Sequence, residues 1–188
     1  ATEFSKLIGL STEATLNLAS SLDVGLGEAA SLAGSTLRAF GLDASETARV
    51  VDVMAKSSAS SALDFSSLQE SLKLAAPTAR ALGVSIEETT AMLGVLADNG
   101  LKGSIAGTGL SKSFIQLTKA GIPLNEALDK VKNSSNQLNT AVELVGIVGA
   151  KSLLTLANNA PRIDTLTESL NGAEGSAKKL AETRLDNL

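Results

Sequence analysis

The chain contains no cysteine and no histidine among its 188 residues. Without cysteine there is no disulfide framework and no thiolate metal site. Without histidine, none of the many serines has an imidazole to act as its base, and no aspartate-rich calcium loop is present. We therefore predict no catalytic residues, no metal ligands and no cofactor, and a structural or interactive role rather than an enzymatic one.

Aromatic residues are also scarce, because only four phenylalanines are present and the chain has no tryptophan or tyrosine. Aromatic side chains bury the largest areas and dominate the energetics of protein cores. Leucine and alanine are instead the commonest residues. This composition predicts helices that pack closely through small residues, with modest overall stability.

Positive charge is not concentrated anywhere in the chain. Its 16 basic residues are outnumbered by 20 acidic ones, the net charge is −4, and no basic run exceeds Lys178-Lys179. Binding to nucleic acid depends mainly on lysine and arginine that neutralise phosphates. We therefore predict no sequence-specific nucleic-acid partner.

Long hydrophobic runs are missing as well. The most apolar stretch, residues 144–150, is bracketed by Glu143 and Lys151 and resumes as far as Ala157. A membrane-spanning helix needs about 20 consecutive apolar residues. The pattern favours a buried helix, and the alternative is a segment that meets a membrane only after a large rearrangement. No signal peptide is predicted, because no basic region leads into an apolar stretch at the N-terminus.

Helical periodicity dominates what is present. Apolar residues recur at steps of three and four over residues 68–82, 86–97 and 110–117, as on helices that pack on one side. Few runs alternate strictly, and β-branched residues do not cluster into a strand. The pattern predicts an all-α protein.

Four glycines, each followed by an apolar residue, lie between successive helical stretches. They are Gly9, Gly41, Gly83 and, with a less regular pattern, Gly121. Glycine adopts the left-handed conformation that ends a helix, and short turns of this kind favour antiparallel neighbours. The glycines are unequally spaced, so they do not define a fixed repeat. We predict an irregular array of antiparallel helical hairpins with packing rich in small residues.

Capping-box spacing, in which Glu or Gln follows the N-cap by three residues, predicts helix starts at Asp43, Ser66 and Ser85. Pro77 lies inside an apolar-periodic stretch, so we expect a kink or break near Ala76.

The ends of two later helices are also marked in the sequence. Asn99-Gly100 predicts one helix end, and Pro161 separates an apolar stretch at 138–157 from a charged tail. These boundaries predict a helical core over residues 1–160 and a helical C-terminal segment, residues 161–188, that leads out of the core.

Residues 100–109 form the only glycine-rich stretch. The spacing does not match a phosphate-binding loop, since no lysine follows the last glycine, and it does not match a dinucleotide-binding motif. Gly103 and Gly107 instead have the four-residue spacing that lets two helix backbones approach closely. We predict a helix N-terminus that packs tightly on a neighbouring helix.

Two pairs of carboxylates, Glu87-Glu88 and Glu126 with Asp129, raise the question of acid–base chemistry. Such catalysis needs carboxylates in a cleft with shifted pKa values. We predict instead that these residues lie on polar faces or in first helical turns, where negative charge favours the helix dipole.

Residues 72–85 and 87–108 together resemble the conserved core region of phage tail tape measure proteins. Residues 145–156 and 181–188 show weaker similarity to later parts of the same region. Two departures are a short Asn/Ser-rich stretch at 121–145 and Gly109, where the family commonly has a larger residue. The resemblance is carried by these signature residues: Ala76, Pro77, Gly83, Ser85, Glu88, Gly100, Lys102, Gly103, Ala106, Gly107 and Leu110.

The resemblance implies a structural protein of a phage, prophage or tailocin tail. Tape measure proteins fill the lumen of the tail tube, help to set tail length and meet tail-tip or baseplate proteins. The implied partners are tail tube and tail-tip proteins and further copies of the chain, as a trimer or hexamer, with membrane contact only during infection. The implied location is the virion tail, after assembly in the cytoplasm of the bacterial host.

Hairpins fold the chain back on itself, whereas one continuous helix of this length would reach about 280 Å. We therefore expect a compact docking piece of a longer chain and not the ruler rod itself. Two alternatives remain open at this point: a membrane-active or pore-forming helical module, and a helical scaffold or adaptor unrelated to phage.

Overall fold

A computed structural model describes residues 3–186, with side chains from Ile8 onward, so the Phe4 side chain and Leu188 lie outside this part. The described residues form ten α-helices and no strand, which confirms the all-α class. The helices are α1 (Glu3–Leu22), α2 (Leu26–Phe40), α3 (Thr47–Ser60), α4 (Phe65–Ala81), α5 (Ile86–Asp98), α6 (Gly103–Ala120), α7 (Leu124–Lys132), α8 (Gln137–Asn158), α9 (Ala160–Asn171) and α10 (Ser176–Leu185), with a 3₁₀ turn at Ala44–Glu46 before α3.

Three of the four predicted glycine turns are confirmed. Gly41, Gly83 and Gly121 have φ values of 66°, 71° and 65°, which is the left-handed region that glycine enters without a clash.

The predicted turn at Gly9 is wrong, because α1 continues through it. A glycine inside a helix costs only about 1 kcal/mol relative to alanine, and the next turns of α1 bury Ala14 and Leu18. The chain reverses after α1 instead, where Asp23 has a φ of 59° and Gly25 is the N-cap of α2.

Helix starts agree with the capping predictions at one of three positions. Ser85 and Glu88 form a complete capping box. Ser66 lies inside α4, whose N-cap is Asp64, and the Asp64 carboxylate accepts the Ser67 backbone N–H at 2.8 Å. The prediction for Ser66 is therefore wrong, because an aspartate two residues earlier is also a strong cap.

Asp43 does cap a turn, but it does not form a box with Glu46. Its carboxylate accepts the Ser45 backbone N–H at 2.9 Å at the start of the 3₁₀ turn. Glu46 instead pairs with Arg49 at 2.6 Å. The α-helix follows only after the turn, at Thr47.

The chain does not break near Ala76, because α4 continues through Pro77 to Ala81, whereas a kink there remains a prediction. Proline removes one backbone donor from a helix. On either side of it, Ala75, Ala76 and Ala79 are completely buried. Packing of this face outweighs the lost hydrogen bond.

Helix α6 is central to the packing, and its most extensive contacts are with α4 and α8, which are not its chain neighbours. Helices α4 and α6 run parallel, since Glu70 lies beside Ser104 and Thr78 beside Ser111. Helix α8 runs antiparallel to α6, as the contacts of Gly109 with Ser152 and of Ser113 with Gly149 require. The wider arrangement as antiparallel hairpins remains a prediction.

Helices α9 and α10 pack on α5, α3 and α1. Asp52, a buried residue of α3, accepts the backbone N–H groups of Gly175 and Ala177 at 2.8 and 2.9 Å. This carboxylate caps the start of α10 and joins it to α3 across the chain. The division of the chain at residue 160 remains a prediction.

By length and composition alone, helix α8 could cross a membrane. Its most apolar 18-residue stretch is 44% buried. The helix is not continuous, because Gly146 has φ 73° and ψ 170°, a conformation that is essentially restricted to glycine. Ala141, Val145 and Leu153 are buried on its inner face, whereas Ile147 is 83% exposed beside the break.

Candidate structural site around helix α6

The signature residues fall into two groups in the structure. Gly83, Ser85 and Glu88 form the turn and cap between α4 and α5. A second group starts α6 and faces the neighbouring helices, and consists of Lys102, Gly103, Ala106, Gly107 and Leu110. Ala76 is buried on α4, Pro77 is exposed there, and Gly100 follows the end of α5 with a φ of 80°.

Gly107 lets α4 and α6 approach each other closely. A Cβ atom at this position would lie 2.7 Å from the Ser71 carbonyl oxygen and 2.8 Å from the Ser71 Cα. Real Cβ atoms do not approach backbone atoms this closely. A glycine is therefore required at this crossing, in agreement with the predicted close packing.

The N-terminus of α6 is held by a carboxylate from α4. Glu70 Oε2 accepts the Ser104 backbone N–H at 3.2 Å, where negative charge also favours the helix dipole. A Cβ on Gly103, whose φ is +55°, would lie 2.5 Å from the same oxygen. The glycine at the start of α6 thus makes room for the carboxylate that caps it.

A second electrostatic contact joins the starts of α4 and α6. Lys102 Nζ lies 4.0 Å from Asp64 Oδ2. The hydrogen bond from the Ser67 backbone N–H lowers the pKa of Asp64 below its ordinary value, and the Lys102 charge adds to this effect.

The opposite side of α6 packs equally closely on α8, which the sequence patterns missed. A Cβ on Gly109 would lie 2.0 Å from Ser152 Oγ, and one on Gly149 would lie 2.9 Å from Ser113 Oγ. The Ser113 hydroxyl donates to the carbonyls of Gly109 and Gly149 at 2.9 and 3.3 Å. Gly109, noted above as a departure from the family pattern, thus leaves room for the Ser152 side chain.

The carboxylate pairs lie in first helical turns or at exposed positions, as predicted. Glu87 is in the first turn of α5, but it is buried and pairs with Arg49 of α3. The predicted first-turn position is therefore confirmed, and the Arg49 guanidinium supplies the partner that a buried carboxylate needs. Glu126 is exposed and pairs with Lys130 at 2.7 Å.

This arrangement offers small-residue contacts, caps and ion pairs, which are the elements of a structural site. Among residues 3–186, no group of three or more acidic residues is placed to hold a metal ion.

A family model described as phage-related minor tail protein matches residues 5–183. The chain belongs to the phage-related minor tail protein family. A relative, the tape measure protein of Pneumococcus phage Dp-1, is 33% identical over an alignment of 182 residues, and the match covers 82% of this chain. The chain spans 16% of that relative's length. No solved structure matches the chain.

Membership of the phage-related minor tail protein family confirms the resemblance drawn from residues 72–85 and 87–108, and it assigns the chain to the structural proteins of the phage tail. The specific residues chosen as the family signature remain a prediction.

Proposed function

We propose that the chain is a compact docking segment of a phage tail tape measure protein. The longer protein occupies the lumen of the tail tube and helps to set tail length, and this segment contacts tail-tip or baseplate proteins. Assembly takes place in the host cytoplasm. Self-association as a trimer or hexamer belongs to the same proposal.

The observation that carries the docking role is the compactness of the segment. The longest uninterrupted helix among the described residues, α1, has 20 residues and spans about 30 Å at about 1.5 Å per residue. The same chain as one continuous helix would reach about 280 Å. Close packing of α4, α6 and α8 therefore supports a folded docking segment rather than part of an extended helix that measures tail length.

The test is a pair of in-frame deletions in the phage gene that encodes the full protein, with tails imaged by electron microscopy. One deletion removes residues 5–183, and the matched control removes the same number of helix-forming residues from another part of the protein. The control is expected to shorten tails by up to about 1.5 Å per residue removed. Deletion of residues 5–183 is expected to stop assembly at the tail tip.

Two results would overturn the proposal. Complete tails shortened equally by both deletions would make the segment part of the ruler. Complete tails of unchanged length would remove it from both length setting and docking.

A second candidate function is membrane contact during infection, which the length and hydropathy of α8 favour. Dye leakage from liposomes on addition of the chain is the expected result for this function. Intact liposomes would exclude a membrane-active module. A scaffold unrelated to phage is set aside, because the chain belongs to a phage tail family.

A further inference from the structure

An open groove of about 530 Å³ lies between helices α5, α7 and α9. It combines an apolar floor with a polar rim. Met92, which is 2% exposed, lies at the floor with half-buried aliphatic residues of three segments. The apolar lining consists of Val84, Met92, Leu124, Leu128 and Ile163.

The rim of the groove is acidic. Glu88, Asp164 and Glu168 line it, and no lysine or arginine does so among the described residues. Asp164 and Glu168 are exposed and form no ion pair within residues 8–186. Glu88 caps α5 through the Ser85 N–H and still contributes its negative charge.

We propose that this groove binds a short amphipathic helix whose apolar stripe is flanked by lysine or arginine. Helices that dock in grooves place apolar anchors at steps of three and four residues, which the aliphatic floor would receive. Basic residues beside that stripe would meet the three carboxylates, and such charge complementarity sets orientation and partner choice. The α9 wall from Ile163 to Asn171 is about 12 Å long, enough for about two helical turns.

This inference goes beyond the docking function proposed above and does not depend on it. It concerns one surface, whose occupant is defined by its charge and its apolar periodicity. Failure of the deletion experiment would not contradict the groove proposal, and failure of peptide binding to the groove would not contradict the docking function.

The probe is a synthetic leucine–lysine peptide of about 15 residues, a length at which isolated helices become marginally stable, with leucines three and four residues apart. The control peptide has the same composition in an order that gives no apolar stripe. Fluorescence anisotropy with the 188-residue chain is expected to show binding at least about tenfold tighter for the striped peptide, a difference of about 1.4 kcal/mol.

Two variants that lose the same number of negative charges distinguish binding in the groove from general electrostatic attraction between the basic peptide and the acidic chain. Asp164→Asn with Glu168→Gln neutralises two of the three rim carboxylates, whereas Glu143→Gln with Glu182→Gln neutralises two exposed carboxylates outside the groove lining. The rim variant is expected to weaken binding about tenfold, and the control variant by less than about twofold. Circular dichroism checks that both variants fold.

The two methionines supply a readout that needs no substitution. Carbon-13-labelled methyl groups of Met92, in the groove, and Met54, completely buried in α3, can be followed by NMR. The Met92 methyl signal is expected to shift on addition of the striped peptide while that of Met54 stays in place. Absence of binding, equal binding of both peptides, equal weakening by both variants, or an unmoved Met92 signal would overturn the proposal.

Discussion

The hydroxyl of Thr90 is buried in α5 without a hydrogen-bond partner. Its neighbour Thr89 is equally buried, but its hydroxyl donates to the Ser85 carbonyl oxygen at 2.7 Å. A buried polar group without a partner destabilises a protein by about 1–3 kcal/mol. The two threonines therefore form a natural pair for measuring this effect.

Thr90→Val is expected to raise the free energy of unfolding by about 1 kcal/mol, because a methyl group replaces an unpaired hydroxyl of similar volume. Thr89→Val removes a hydrogen bond and is expected to lower it by about 0.5–1.5 kcal/mol. Urea unfolding of both variants measures the difference. Equal destabilisation by both would mean that the Thr90 hydroxyl is satisfied, for example by a buried water.

Asp64 links stability to pH. Its pKa in the folded chain lies below the ordinary value, mainly because it accepts the Ser67 backbone N–H. A carboxylate with a lowered folded-state pKa stabilises the protein above its unfolded-state pKa of about 3.9, and this contribution is lost as the pH falls through the folded-state value. Asp64→Asn keeps a good N-cap but does not titrate.

We therefore expect the free energy of unfolding to fall less between pH 7 and about pH 2.5 in Asp64→Asn than in the original chain. Urea unfolding at the two pH values measures the change. The effect is modest, because the Asp64 side chain is 60% exposed and solvent screens it. Identical pH dependence of the two proteins would show that this cap does not contribute.

At the scale of the helices, the same substitution has opposite expected effects at two glycines. Gly107→Ala places a Cβ against the Ser71 backbone and must separate α4 from α6, so we expect a loss of about 1–3 kcal/mol. Gly9→Ala meets nothing within 4 Å inside α1 and is expected to stabilise the chain by up to about 1 kcal/mol. Thermal unfolding reports both. A stabilising Gly107→Ala would contradict the close helix crossing.

These two glycines also mark where sequence reasoning succeeds and fails. The four-residue spacing of Gly103 and Gly107 is visible within one helix, so close packing could be predicted locally. The close contact of Gly109 with Ser152 could not be predicted in this way, because Ser152 lies in a helix far along the chain. Gly9 resembles Gly41 in its neighbours, and only tertiary burial of Ala14 and Leu18 shows that α1 continues.

At the scale of the whole molecule, the buried apolar side chains form two clusters. The larger joins α1–α6 with α9 and α10 and also includes Leu156 of α8. The smaller lies between α6, α7 and α8 and is made of small and medium side chains, namely Leu117, Ala127, Val131, Ala141, Val145, Ala150, Leu153 and Ala157. The break at Gly146 lies within α8, the helix that supplies five of the eight residues of this smaller cluster.

Regions with fewer buried contacts open at lower free energy than the main core. Because most of the buried apolar residues of α7 and α8 belong to the smaller cluster and α8 is interrupted at Gly146, we expect backbone amides of α7 and residues 137–145 to exchange with deuterium faster than those of α5. Val131 is completely buried in this cluster, so Val131→Ala, which removes about two methylenes of buried volume, should speed exchange in α7 and α8 and leave α5 unchanged. Hydrogen exchange followed by mass spectrometry measures each segment. Uniform exchange across α5, α7 and α8, or equal acceleration in all three, would show instead that the two clusters unfold as one cooperative unit.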